Sequence, residues 1–296
     1  RSSHIYRTMM PWPAIILLMT LAGCVGNPVG SLFKSPIESA NNYAVEHGLH
    51  PQTITTSRFA LRSFQRRSTP EHRHKSLHVY IEGDGRAWLS RTRPSPDPTP
   101  HKAIGLQLAA TDSHSDVLYL ARPCQYLPKG ELAGCAPKYW LSARFSEEVV
   151  KSTLEAVGTV MRRDGYERAF LVGYSGGGTV ATLVASRLGP ESVTGLITIG
   201  SVLDIDAWVG HFKLTPLTGS LSPLHVAEEP LRSIRQWHFM GEEDEIVPPG
   251  INRAFHTRLA QGERSAPSTR HVVADHDHTC CWTEGWADRL LAVRRR

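Results

Sequence analysis

Gly173-Tyr174-Ser175-Gly176-Gly177 constrains the fold of this chain more than any other segment, because an apolar run ends just before it and a helix-periodic segment begins inside it. Residues 168–172, with Ala169, Phe170, Leu171 and Val172 in series, predict a strand. Residues 176–188 carry Val180, Leu183, Val184 and Leu188 on one face and predict a helix. Ser175 therefore stands on a tight strand-to-helix turn, where the backbone is strained and a hydroxyl is displayed as a nucleophile. Gly173, Gly176 and Gly177 let strand and helix approach without Cβ clashes. A bare Gly-x-Ser-x-Gly arises by chance, so its meaning depends on what surrounds it.

The surroundings alternate. Strands are expected at 77–81, 117–121, 193–199, 236–240 and 270–274, with a weaker one at 61–64, and helices at 101–110, 145–163, 250–259 and 282–293. The long helix has Ser146 as its N-cap, Glu147 and Glu148 in its first turn, and Gly165 as its stop. Four prolines make 91–100 a loop. This order implies an α/β fold, a mostly parallel central sheet with helices on both faces, whose reactive side chains gather beyond the carboxyl ends of the strands. Residues 206–234 show little helix periodicity; with Trp208, Phe212, Leu214 and Leu217 they read equally as a cap over the site or as a packed surface excursion. At 296 residues and 41% hydrophobic, the chain is sized for one large domain.

A serine hydroxyl is a weak nucleophile at neutral pH and needs a base, and the base needs a group that orients it. Both follow in order. Beyond the strand at 236–240 lies Gly241-Glu242-Glu243-Asp244-Glu245-Ile246-Val247-Pro248, and beyond the last strand lies Asp275-His276-Asp277-His278. His278 heads His-Thr-Cys-Cys-Trp and is far enough past the strand to bend back toward Ser175, which favours it over His276 as base. Gly176 N–H, next after the nucleophile, can donate to an oxyanion.

Together these motifs resemble the α/β-hydrolase superfamily over roughly residues 77–294. The phrases from His78 to Gly85 and from His278 to Trp282 are similar to a little-characterised group of bacterial hydrolase-like proteins. The resemblance implies that Asp244, in the Gly-x-x-Asp-x-x-Val-Pro turn, is the acid, with Asp204 after the previous strand as rival and Glu242, Glu243 and Glu245 facing solvent. It places Glu82-Gly83-Asp84-Gly85 where relatives carry a His-Gly motif, so that Asp84 N–H is the second oxyanion donor. Glu82 in place of His is a departure, and the acidic side chains there are expected to hydrogen-bond Arg86 or to bind a substrate cation. Trp88 and Tyr174 either line the pocket or simply pack. The implied chemistry is hydrolysis of an ester, thioester or amide through an acyl-enzyme, with no metal or organic cofactor.

The N-terminus carries a different signal. An apolar run at 14–22 follows Arg7 and ends in Leu21-Ala22-Gly23-Cys24, which resembles the lipobox of bacterial lipoproteins. That likeness implies a signal peptide at 1–23, acylation at Cys24 and, with Val25 next, an outer-membrane lipoprotein facing the periplasm. With Met9 or Met10 as the start, the basic residue ahead of the run is lost. Residues 24–73 are expected to be a tether and an irregular segment broken by Pro28, Pro36 and Pro51, and the hydrolase domain to occupy 74–296. Four cysteines remain for an oxidising compartment. Cys124 with Cys135 is the preferred bridge, while Cys280 and Cys281, being adjacent, bridge only with backbone strain. His276, His278, Cys280 and Cys281 are too crowded for a zinc site. A net charge of +5, scattered apart from the terminal arginines and residues 58–75, argues against nucleic acid as partner. The expected partner is a small-molecule or cell-envelope acyl substrate, with the membrane reached through the lipid anchor. Two other readings use the same residues: a lipid-anchored binding or assembly protein that keeps the fold without the chemistry, and an acyltransferase.

Overall fold

Side-chain alternation sorts the central strands between two cores. In β3 (Ser76–Ile81), Leu77, Val79 and Ile81 enter one core, while Tyr80 enters the other. In β7 (Arg168–Tyr174), Ala169 and Leu171 share the first core and Phe170, Val172 and Tyr174 the second. Strands buried on both faces read as unbroken apolar runs, and each fully buried leucine or valine stabilises the fold by about 1.5–3 kcal/mol.

The computed structural model describes residues 35–69, 74–90, 92–261 and 266–294. The expected signal peptide and Cys24 lie outside them. An eight-stranded sheet is ordered β1-β2-β6-β3-β7-β8-β9-β10, where β1 is His50–Thr55, β2 Ala60–Arg66, β6 Asp116–Leu120, β8 Val193–Ile199, β9 Gln236–Gly241 and β10 Ser268–Val273. From β6 to β10 neighbours are parallel; β1 and β2 are antiparallel to each other, and β2 to β6. Helices α3 (Glu147–Asp164) and α4 (Gly176–Leu188) pack against the first core, and α1 (Pro36–Glu46), α2 (Ile104–Thr111) and α7 (Trp286–Arg294) against the second. Ser146 caps α3 and Gly165 ends it in the left-handed region, as expected.

Three expectations are corrected. Residues 36–66 are not irregular, and the compact unit begins at Ser35 rather than at 74. Pro36 does not break structure: it occupies the first turn of α1, whose N–H groups need no helical partner, behind a Ser35–Glu38 capping box. Pro51 sits in β1, which pairs on one side only, where a missing donor is tolerated. The proline-rich loop at 91–100 is not wholly irregular: β5 (Arg93–Pro94) inside it pairs antiparallel with β4 (Trp88–Ser90) just before it. Finally, 206–234 opens with a helix, α5 (Ile205–Phe212), capped by Asp204. Beyond α5, Leu217, Leu221, Leu224 and Val226 pack on the first core, so this stretch is a surface excursion from which α5 alone reaches the site. A further helix, α6 (Arg253–Leu259), precedes β10. Among the described residues no helix is long and apolar enough to cross a membrane.

Candidate active site

Ser175 ends β7 and begins α4 with φ 51° and ψ −127°, a conformation that strains a residue bearing a Cβ and that marks functional turns. Its N–H is held by the carbonyl of Ile199 on β8. A side chain at Gly173 would collide with the backbone of Gly177 and Gly178, so the tightness of the turn depends on that glycine. Ser175 Oγ lies 3.0 Å from His278 Nε2, and His278 Nδ1 lies 2.9 Å from Asp244 Oδ2. A carboxylate only accepts, so Nδ1 is the donor toward Asp244, and in the neutral ring Nε2 is left to accept from the hydroxyl.

Each partner is fixed by its loop. Asp244 follows β9, and its second oxygen accepts the N–H groups of Ile246 (2.9 Å) and Val247 (2.7 Å), so the buried carboxylate presents one free oxygen to the imidazole. The His278 carbonyl accepts from Tyr174 hydroxyl at 2.8 Å and from Trp282 Nε1 at 3.2 Å, which ties the loop after β10 to the turn bearing Ser175. Burial pushes the Tyr174 hydroxyl well above its usual range, in keeping with its role as a donor to that carbonyl. His276 lies elsewhere: its Nδ1 bonds the Ala274 carbonyl and Arg289 donates to its Nε2. Asp204 caps α5. Of the competing candidates, the structure brings Asp244 and His278 to Ser175.

On the other side of Ser175 runs the loop after β3. Among the described residues neither Gly176 N–H nor Asp84 N–H has an acceptor, and both residues line the same cleft as Ser175. The Asp84 carboxylate is clamped between Arg122 (2.9 Å) and Arg144 (2.9 Å), and Arg122 also donates to the Arg144 carbonyl. Burial alone would raise this carboxyl, but Arg144 and Arg122 hold it below the usual range. Glu82 is wholly buried at the inner wall of the cleft. It accepts from Gly83 N–H, Gly105 N–H, Leu106 N–H and Tyr119 hydroxyl, and so caps α2 from the loop that follows β3. Burial raises its carboxyl against the opposing pull of those donors. The expected pairing with Arg86 is therefore corrected: both acids have other partners, and Arg86 contacts His101.

The cleft encloses about 530 Å³. Phe145, Tyr174, Val202, Trp208, Val247 and the exposed Trp88 and Ile246 give it apolar walls, and Trp208 Nε1 bonds the Ile246 carbonyl, which fastens α5 to the loop bearing Asp244. Cys124 and Cys135 are bridged, and Cys280 is joined to Cys281, where sequence had left those two open. Among the described residues no group of three or more His, Cys, Asp or Glu is placed to hold a metal ion. Arg122 and Arg144 escaped the sequence reading because their partner lies 38 and 60 residues away and no local pattern announces it.

No protein-family model matches the chain, and no curated protein does. Solved structures do. The chain is similar to an acylaminoacyl peptidase from Pyrococcus horikoshii, with TM-score 0.58 and 11% identity over 86% of this chain and 43% of that one. It is similar to Est1E from Butyrivibrio proteoclasticus, with TM-score 0.56 and 12% identity over 83% of this chain and 99% of that one. A Pyrococcus furiosus esterase gives TM-score 0.56 and 13% identity over 83% and 90%. The chain spans less than half the length of the acylaminoacyl peptidase and nearly all of Est1E. Its fold is the α/β-hydrolase fold.

Proposed function

We propose that the protein is a serine hydrolase that cleaves an ester, thioester or amide through an acyl-enzyme. The observation that carries this reading is the unbroken chain from Ser175 Oγ through His278 to Asp244, at 3.0 and 2.9 Å, opening into a cleft with two unspent N–H donors. As Ser175 Oγ bonds the carbonyl carbon, its proton passes to His278 Nε2, and the carbonyl oxygen becomes an oxyanion between Gly176 N–H and Asp84 N–H. The bond to the leaving group then breaks, and His278 returns the proton to the departing oxygen, sulfur or nitrogen. Water repeats the sequence: His278 takes one proton, the hydroxide adds to the acyl carbon, and Ser175 recovers its hydrogen as the acid departs. Asp244 holds the tautomer and balances the transient imidazolium. The esterase and the peptidase of similar fold support this class of reaction without naming a substrate.

Ser175→Ala should leave the protein folded and abolish turnover of a short p-nitrophenyl ester and labelling by a fluorophosphonate probe. Undiminished turnover in that variant removes the assignment. We further propose lipid attachment at Cys24, supported by the lipobox-like Leu21-Ala22-Gly23-Cys24, which would set the enzyme in the cell envelope facing acyl substrates there. Metabolic labelling with palmitate tests this, and incorporation that persists in Cys24→Ser overturns it.

A further inference from the structure

Two carboxylates line the cleft, and both are spent. Glu82 is buried under four donors, and Asp84 lies between two guanidinium groups. Arg122 and Arg144 thus balance Asp84 and Glu82 in charge. The lining still contains Arg86 and Lys102, both exposed, and among the described residues no carboxylate pairs with either. A cleft that has neutralised its acids while leaving two cations open at its mouth favours a negatively charged occupant.

Arg86 is also held in place. Its N–H bonds the Pro98 carbonyl at 2.9 Å, and its NH1 donates to His101 Nε2 at 3.2 Å, which leaves Nε and NH2 without a partner among the described residues. Gly85 beneath it has φ +69°, and a Cβ there would run into the Pro98 carbonyl, so the two loops are pressed together. Gln125 Nε2 bonds the carbonyls of Gly83 (3.0 Å) and Pro98 (3.4 Å), and Tyr126 hydroxyl bonds Pro100 at 3.1 Å. The backbone that carries Arg86 is thus anchored, and its guanidinium, with Nε and NH2 open, can offer two parallel donors to an oxyanion. The same cleft is lined by Trp88, Trp208 and Ile246, which supply apolar surface.

We propose that the substrate is an ester bearing both an apolar acyl chain and an anionic group, a carboxylate or a phosphate, near the scissile bond, with Arg86 and Lys102 holding the anion. The inference rests on Ser175 being the nucleophile of the same cleft.

Two matched pairs of esters test it: p-nitrophenyl butyrate against the mono-p-nitrophenyl ester of glutarate, with the charge on the acyl side, and butyryl glycerol against butyryl glycerol phosphate, with the charge on the alcohol side. In one pair the anionic member should have the higher kcat/KM, by about tenfold for one well-formed charge-assisted hydrogen bond, and the ratio should fall as salt is raised. The ratio should drop below one in R86E/K102E and, the positive charges being kept but the guanidinium fork at 86 lost, stay above one though reduced in R86K/K102R. Titration calorimetry of the Ser175→Ala protein with the two glycerol esters gives a readout independent of turnover, and butyryl glycerol phosphate should bind the tighter if the charge lies on the alcohol side. A carboxylate preference alone identifies an acyl-side anion, and a phosphate preference alone an alcohol-side one. Absence of any anion preference in both pairs, or one that survives R86E/K102E, overturns the inference. Failure of the fluorophosphonate probe to label Ser175 is a separate result and sinks the hydrolase reading instead.

Discussion

The Asp84 carboxylate occupies the space in which a side chain on residue 176 would begin: a Cβ built on Gly176 would run into Asp84 Oδ1. The two residues proposed to supply the oxyanion donors are therefore packed against each other. Gly176→Ala should push Asp84 and its N–H away from Ser175. Losing one such donor costs about 2.7–4 kcal/mol of transition-state stabilisation, so kcat on a p-nitrophenyl ester should fall by two orders of magnitude or more while the protein stays folded by circular dichroism. Near-normal kcat would show that Asp84 N–H does not serve the oxyanion.

Asp84→Asn keeps the backbone N–H but strips the charge that Arg122 and Arg144 share. Removing one member of a buried ion pair leaves the others without compensation, and about 3 kcal/mol of stability should be lost. Chemical denaturation of the variant measures this, and a midpoint equal to that of the parent would mean that the clamp is not structural.

The two histidines near the C-terminus should separate cleanly. His278→Gln removes the proton acceptor and should lower kcat by about four orders of magnitude or more. His276→Gln disturbs only the Ala274 and Arg289 contacts and should stay within a few-fold of the parent. Equal losses in both variants would contradict the proton path through Nε2.

Much of this arrangement was legible in sequence because it is local or ordered along the chain. The turn at Ser175 announces itself by a strand, glycines and a helix within twenty-odd residues, and the order Ser175, Asp244, His278 follows from where strands end. Helix α3 carried its own cap and stop. What escaped notice was long-range or conditional. Pro36 and Pro51 read as breakers because the first turn of a helix and the free edge of a sheet, where proline is harmless, are known only once the neighbours are placed. Glu82 and Asp84 were assigned to nearby Arg86, yet their partners come from β6, α2 and the approach to α3. Sequence proximity is a poor guide to ion pairing where many strand ends converge.

The Cys124–Cys135 bridge should stabilise more than its own loop. Gln125 and Tyr126, immediately after Cys124, hold Gly83, Pro98 and Pro100, so the bridge braces the loops on both sides of Arg86. Replacing both cysteines with serine should cost about 2–4 kcal/mol and raise KM more than it lowers kcat. A variant with unchanged melting temperature and KM would show that the bridge contributes nothing to the cleft.

Acid should destabilise the protein through a histidine pair outside the Ser175–His278–Asp244 chain. His238 on β9 and His256 on α6 lie with ring centroids 4.8 Å apart, and neither His238 Nε2 nor either nitrogen of His256 has a hydrogen-bond partner among the described residues. Burial, then the neighbouring positive charge of Arg270, lowers His256 to about 4; burial, then His256, lowers His238 well below its usual value. A group whose folded value lies below its unfolded one takes up protons preferentially when unfolded, so the folded state is disfavoured as pH falls. Stability should hold above about pH 6.5, the ordinary histidine value, and decline toward pH 4 as the unfolded chain protonates and the folded one resists. Melting temperatures measured across that window should fall in the parent and fall less steeply in His256→Leu, which removes one of the two sites. Parallel curves for parent and variant would assign the acid sensitivity to other groups.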